Sequence, residues 1–118
     1  MNLNFESRRY CLGWASSSCN AGREQFGKRP AVIIQDEAQF SKIPTVVLIP
    51  VTSQKDALRL PATISIPPTP GNGLSVESVA LVFQVRAIDR KRIHEKIGVL
   101  EEKTMMDVTN LLKKVLNT

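Results

Sequence analysis

A glycine-bracketed loop, GREQFGKRP (residues 22–30), runs directly into the β-branched stretch AVII. A second apolar stretch, TVVLIPVT, ends at Thr52 and is followed by Ser53 and Gln54. Arginine and threonine in such places can handle an anion. A guanidinium stays charged and offers a planar fork of donors that fits phosphate oxygens, and a hydroxyl can donate a further hydrogen bond. If the two stretches pair as antiparallel strands, the start of one lies beside the end of the other, and Arg29 and Thr52 meet at one rim. The plainer alternative is that Arg29 pairs with Glu24 on the surface and Thr52 closes a turn. Residue types and spacing leave both readings open.

Other chemistries find little support. His94, the only histidine, sits between Ile93 and Glu95 in a charged stretch. It reads as a surface residue, and one histidine leaves no His cluster and no Ser–His–carboxylate set. A zinc site takes three or four ligands. Cys11 and Cys19 have no ligand set around them, so neither a metal nor a cofactor is expected. Neither GxxxxGK[ST] nor GxGxxG occurs, which argues against the phosphate-binding loops built on them. Two cysteines in a domain of this size do not make a secreted disulfide framework.

The elements that must position Arg29 and Thr52 read mostly as strands. PAVIIQ (30–35) suits a strand start after proline. TVVLIPVT (45–52) suits a second, with Pro50 near its end arguing for an edge position or a bulge. The polar stretch between them (36–44) reads as a loop. In LRLPATISIP (58–67), Leu58, Leu60, Ala62, Ile64 and Ile66 alternate with polar residues, as in a half-buried antiparallel strand. PPTPGNG (67–73) is a turn signal. SVALVFQ (78–84) reads as a strand, RAIDRKRI (86–93) as one helical turn, and KIGVL (96–100) as a last strand. After Glu101, an apolar stripe of Met105, Val108, Leu111, Leu112, Val115 and Leu116 marks a helix. Glu101 and Glu102 near its start and Lys113 and Lys114 near its end suit the helix dipole. The expectation is a mainly β domain, a small antiparallel barrel or sandwich capped by a C-terminal helix.

The 118 residues make one domain, 1–118, able to bury a core unaided. Sixteen Lys and Arg against eleven Asp and Glu give a net charge of +5, which favours a polyanionic partner such as nucleic acid or an acidic protein segment. No run approaches a membrane span. Glu6, Arg8 and Arg9 interrupt what would be a signal-peptide core, so a cytoplasmic location is expected.

The set Gly22, Glu24, Gln25, Gly27, Arg29 and Pro30, the run Pro50, Val51, Thr52 and Ser53, and a downstream QxRxID with Gln84, Arg86 and Asp89 resemble the MazF/PemK family of toxin ribonucleases. The pattern KIGVLEEKTMMDVTNLLKKVL completes a likeness that runs from about residue 22 to residue 116. The resemblance implies an SH3-like antiparallel β-barrel of the CcdB/MazF kind with a C-terminal helix, acting as a homodimer. It implies metal-independent, sequence-selective cleavage of single-stranded RNA by 2′-OH attack, leaving a 2′,3′-cyclic phosphate and a 5′-OH. A cognate antitoxin would inhibit the enzyme and bring it to operator DNA. On this resemblance Arg29 and Thr52 are catalytic, and Glu24, Gln25, Lys28, Ser53, Gln84 and Arg86 bind RNA. Arg86 also reads as part of a solvated charge run or of a dimer contact. Trp14 and Phe26 are the stacking platforms near the loop, Phe26 equally a core plug.

The first strand departs from the family pattern. Tyr10 and Cys11 replace a Gly-Asp, and Ser16, Ser17, Ser18 and Cys19 replace an acidic, proline-ended segment. Arg23 replaces a small residue, and Phe83 an acidic one. Two further readings go with the fold. One is a non-catalytic binder, either a DNA co-repressor with its antitoxin or a gyrase inhibitor similar to CcdB. The other is a toxin relic that no longer cuts.

Overall fold

The computed structural model describes residues 11–16 and 28–118. Seven strands, β1 (Cys11–Ser16), β2 (Lys28–Ile33), β3 (Thr45–Thr52), β4 (Thr63–Ile66), β5 (Ser78–Leu81), β6 (Arg86–Asp89) and β7 (Ile93–Val99), form one antiparallel sheet. A four-residue helix, α1 (Glu37–Phe40), joins β2 to β3, and α2 (Glu102–Leu116) ends the chain. The strand order is β4-β5-β3-β2-β1-β7, with β6 also beside β3. This is the expected mainly β fold with a C-terminal helix, but the sheet is open, with β4 and β7 at its two ends.

β3 sits in the middle because its aliphatic run is buried on both faces: Val46, Leu48, Ile49 and Val51 are all inaccessible to solvent. One edge of β3 pairs with β2. Its other edge pairs first with β6, along residues 45–48, and then with β5 at Val51 and Thr52. Partner numbers sum to 134 along β6 and to 131 along β5, a three-residue register shift taken up by the 3₁₀ turn Val82–Gln84. Pro50 stands where β3 changes partner. It has no N–H to give to a ladder; of the two expectations, an edge position or a bulge, the edge is overturned, since β3 is paired on both sides and its pairing breaks inside a central strand.

Alternation sends the strand side chains to two faces. On the first face Val32, Ile49, Val51, Ile66, Ala80 and Val82 pack with Leu100, Met105 and Val108, the last two from α2. Leu111 and Leu112 pack half-buried against this core, whereas Val115 and Leu116 are exposed. The helix stripe is therefore used only over its N-terminal part. The helix stops at Asn117, in the left-handed region at φ 64, with Asn117 N–H on Lys114 O (3.1 Å) and Thr118 N–H on Lys113 O (3.0 Å). The second face carries a smaller cluster of Ala31, Ile33, Val46 and Leu48, with Ile88 and Ile93 against it.

Further expectations need correction. SVALVFQ is strand only over β5, its Val82–Gln84 end being a 3₁₀ turn, and the last strand begins at Ile93 rather than Lys96. The 36–44 stretch is not all loop: Asp36 caps α1 by accepting from Ala38 N–H (3.0 Å) and Gln39 N–H (3.4 Å). In 58–67 only β4 is strand. Residues Lys55–Arg59 form a 3₁₀ turn, Ala62 takes φ 60, and Leu58 and Leu60 are exposed. RAIDRKRI holds β6 followed by the 3₁₀ turn Arg90–Arg92, because β6 extends the edge of β3 and tertiary pairing overrides local charge.

The 67–73 turn is seated on β7. Buried Asn72 accepts from Thr69 N–H (3.1 Å) and Leu74 N–H (3.0 Å) and donates to Pro67 O (2.9 Å). Gly73 takes φ +76, and a Cβ there would stand 2.1 Å from Ile97 O. The departure in the first strand does not abolish it: β1 lies between β2 and β7, from Leu12 opposite Val32 to Ser16 opposite Lys28.

Candidate active site on the second face of the sheet

Arg29 is the second residue of β2 and Thr52 the last of β3. The β2–β3 ladder runs Ile33 opposite Leu48, Val32 opposite Ile49, Ala31 opposite Pro50. In each pair the numbers sum to 81, as 29 and 52 do. Continuing that register two residues brings Arg29 opposite Thr52. Between them stand Pro30 and Val51, and just inside stands Pro50; two prolines without N–H end the ladder there. Beyond it β2 remains paired to β1 (Ala15 opposite Arg29) and β3 to β5 (Thr52 opposite Val79).

Alternation fixes the face. Arg29 shares a side of β2 with Ala31 and Ile33, and Thr52 shares a side of β3 with Leu48 and Val46. Arg86 opens β6 opposite Leu48, on the same side as Ile88. The second face therefore brings Arg29, Thr52 and Arg86 around one small apolar cluster. Arg29 and Arg86 are exposed and Thr52 is half-buried. The Thr52 hydroxyl oxygen accepts from Gln54 N–H (3.2 Å). The turn-closing role and a donor role are thus compatible, since accepting at the oxygen leaves the hydroxyl its own proton as a donor.

The remaining sequence candidates spread outward. Ser53 is exposed just past β3, and Gln84 is exposed at the end of the 3₁₀ turn between β5 and β6. Lys28 opens β2 opposite Ser16. Glu24, Gln25 and Phe26 lie outside the described residues. Lys96, exposed on β7 opposite Gly13, adds a cation to the second face that sequence reading did not single out. Irregularities in the β1–β7 register between Leu12 and Gly13 and between Trp14 and Ala15 hide its facing from simple counting. Among the described residues no three His, Cys, Asp or Glu side chains gather as metal ligands, and no helix is long and apolar enough to cross a membrane.

The small antiparallel sheet gives one face to its C-terminal helix and carries arginines and a hydroxyl on the other. The chain belongs to the PemK-like, MazF-like toxin family of type II toxin–antitoxin systems, which matches residues 8–116, including the altered first strand. It is 36% identical over 91 residues to the endoribonuclease MazF of Staphylococcus epidermidis, covering 77% of this chain and 75% of that one. The fold resembles MazF in the crystal structure of MazE–MazF from Deinococcus radiodurans at a TM-score of 0.74 and 25% identity, over 95% of this chain and 96% of that one. It also resembles MazF from the same organism at a TM-score of 0.72 and 26% identity, over 93% and 94% of the two chains.

Proposed function

We propose that this chain is a cytoplasmic endoribonuclease toxin that cuts single-stranded RNA at a selected sequence without a metal. The observation that supports this reading is the β2–β3 register, which, continued two residues beyond Ala31 opposite Pro50, would bring Arg29 opposite Thr52 on one face of the sheet. Family membership and the staphylococcal relative named an endoribonuclease support it.

The ribose 2′-oxygen gives its proton to solvent water and attacks the adjacent phosphorus. A P–O2′ bond forms and the P–O5′ bond breaks. The leaving 5′-oxygen takes a proton back from solvent, so the products are a 2′,3′-cyclic phosphate and a 5′-OH. Negative charge grows on the phosphoryl oxygens as phosphorus becomes pentacoordinate, and preorganised donors aimed at that charge are a large catalytic contribution. Arg29 supplies the charge and the fork of donors. A guanidinium releases its proton reluctantly, so its role is charge stabilisation rather than proton delivery. Thr52 donates its hydroxyl hydrogen to a phosphoryl oxygen. Glu24 and Gln25 orient Arg29 or touch a base, by the family resemblance alone. Lys28, Ser53, Gln84 and Arg86 hold the flanking RNA.

The protein acts as a homodimer under a cognate antitoxin, through which it reaches operator DNA. The Deinococcus MazF solved with MazE supports the antitoxin partner. The test is cleavage of a long, defined single-stranded RNA in excess EDTA, beside Arg29→Ala, Thr52→Ala and an RNA with 2′-deoxyribose at the cut site. Cutting at one recurring motif with cyclic-phosphate ends, lost in both variants and in the deoxy substrate, is expected. A folded wild type that leaves the RNA intact sinks the reading.

A further inference from the structure

Arg90 opens the 3₁₀ turn after β6 and ties it to the β2–β3 connection. Its backbone N–H donates to Pro44 O (2.8 Å). Its side chain donates from Nε to Ile43 O (2.8 Å), from Nη2 to Phe40 O (3.2 Å) and Thr45 O (3.4 Å), and from Nη1 to the Glu37 carboxylate. Gln35 completes the network: Nε2 donates to Glu37 Oε2 (3.0 Å) and Thr45 O (3.1 Å), and Oε1 accepts from Val47 N–H (3.1 Å). Three carbonyls and a carboxylate in different directions require a planar fork of donors, which lysine lacks.

We propose that Arg90 is a positioning residue for RNA binding, acting through Arg86 by fixing the register of β6 on β3; this rests on the RNA-cleavage reading. β6 pairs over only four residues, Thr45 opposite Asp89 to Leu48 opposite Arg86. Its N-terminal end enters from the three-residue register shift, so the C-terminal end carries the anchor. A one-residue slip would turn Arg86 to the opposite face, and a two-residue slip would displace it by about 7 Å. Arg86 lies opposite Leu48, four residues along β3 from Thr52, about 13 Å away. At that distance it holds a different phosphate from the one being cut, so losing its position affects binding more than the chemical step.

The test is a double-mutant cycle of Arg86→Ala and Arg90→Gln, with Arg90→Lys as the conservative variant. KM and kcat are measured, together with affinity for a 2′-O-methyl RNA that cannot be cut. Arg86→Ala should lower the salt slope of binding by about 1. Arg90→Gln should raise KM and weaken binding roughly five-fold with kcat unchanged, and add nothing once Arg86 is alanine. Arg90→Lys should fall between wild type and Arg90→Gln. Amide exchange across residues 86–89 should quicken in Arg90→Gln while β2 stays protected. Equal effects in both Arg86 backgrounds, a fall in kcat in step with thermal stability, or unchanged exchange in β6 would overturn the proposal. If the wild type neither cuts nor binds RNA, the RNA reading fails, and the exchange measurement alone decides whether Arg90 holds β6 and Arg86 in place.

Discussion

Leu48 and Ile49 are neighbours on β3, and their side chains leave it in opposite directions. Ile49 enters the larger core under α2 with Val32, Val51, Met105 and Val108. Leu48 joins Ala31, Ile33 and Val46 in a smaller cluster whose surroundings hold Arg29, Thr52 and Arg86. Both residues are almost wholly buried, at 0% and 2% exposure, so burial alone does not separate the faces. The difference is in what surrounds each cluster. The first face is sealed by a fifteen-residue helix. On the second, the strand ends beyond the apolar cluster carry cations and a hydroxyl. One backbone thus supports a face packed under α2 and a face that carries cations and a hydroxyl, and mutations on the two should fail in different ways.

The largest effect is expected on the helix face. Ile49→Ala should cost about 4 kcal/mol of unfolding free energy, read from urea melts, because it leaves a cavity in the larger core. Activity per folded molecule should be retained. A variant that is stable but inactive would break the division between the faces. Next, Arg29→Ala should slow cleavage on the order of 100- to 1000-fold while changing stability by less than about 0.5 kcal/mol, as is usual for an exposed side chain. Parallel losses of stability and rate would show that Arg29 belongs to the scaffold.

How far this division was legible depended on the segment. TVVLIPVT declares β3 with its observed bounds because a compact apolar run rich in β-branched residues has no competing pattern. The antiparallel pairing of β2 with β3 was legible from the two apolar runs, and the Arg29–Thr52 approach extends a ladder that itself ends at Ala31 opposite Pro50. β2 begins earlier than its apolar run, at Lys28, because pairing with β1 extends it through charged residues. The 58–67 segment misled because alternation looks the same whether or not the backbone is extended. β6 misled in the opposite sense, its charges concealing a strand formed by tertiary pairing. The Arg90 network was not legible at all: Glu37 lies 53 residues away, and no local pattern joins them. The family came from motif resemblance, since nothing in periodicity or charge selects RNA over another anion.

A third test leaves both faces alone. Asn72→Ala removes the three hydrogen bonds of a buried side chain from the turn that seats on β7 and strands two backbone N–H groups. It should cost about 2 kcal/mol in a denaturant melt, with cleavage per folded molecule unchanged. A selective loss of RNA binding instead would draw the β7 edge into the ligand-holding face, which Lys96 already borders.

The smallest effect is expected where the alternating pattern breaks. Ala62 takes φ 60, a left-handed conformation, just before β4. Its carbonyl accepts from Phe83 N–H (3.3 Å), so the strained residue is also tied to the end of β5's continuation. The conformation explains why Leu58 and Leu60 leave the face that Ile64 and Ile66 keep. An L-residue there pays about 1–2 kcal/mol. Glycine relieves this but adds unfolded-state entropy of about 0.4–1 kcal/mol. Ala62→Gly should therefore stabilise the protein by about 0.5–1 kcal/mol, raising Tm by roughly 3 °C, with cleavage unaltered. A fall in Tm would mean that residue 62 is extended in solution, and that the alternation of 58–67 continues through it as the sequence suggests.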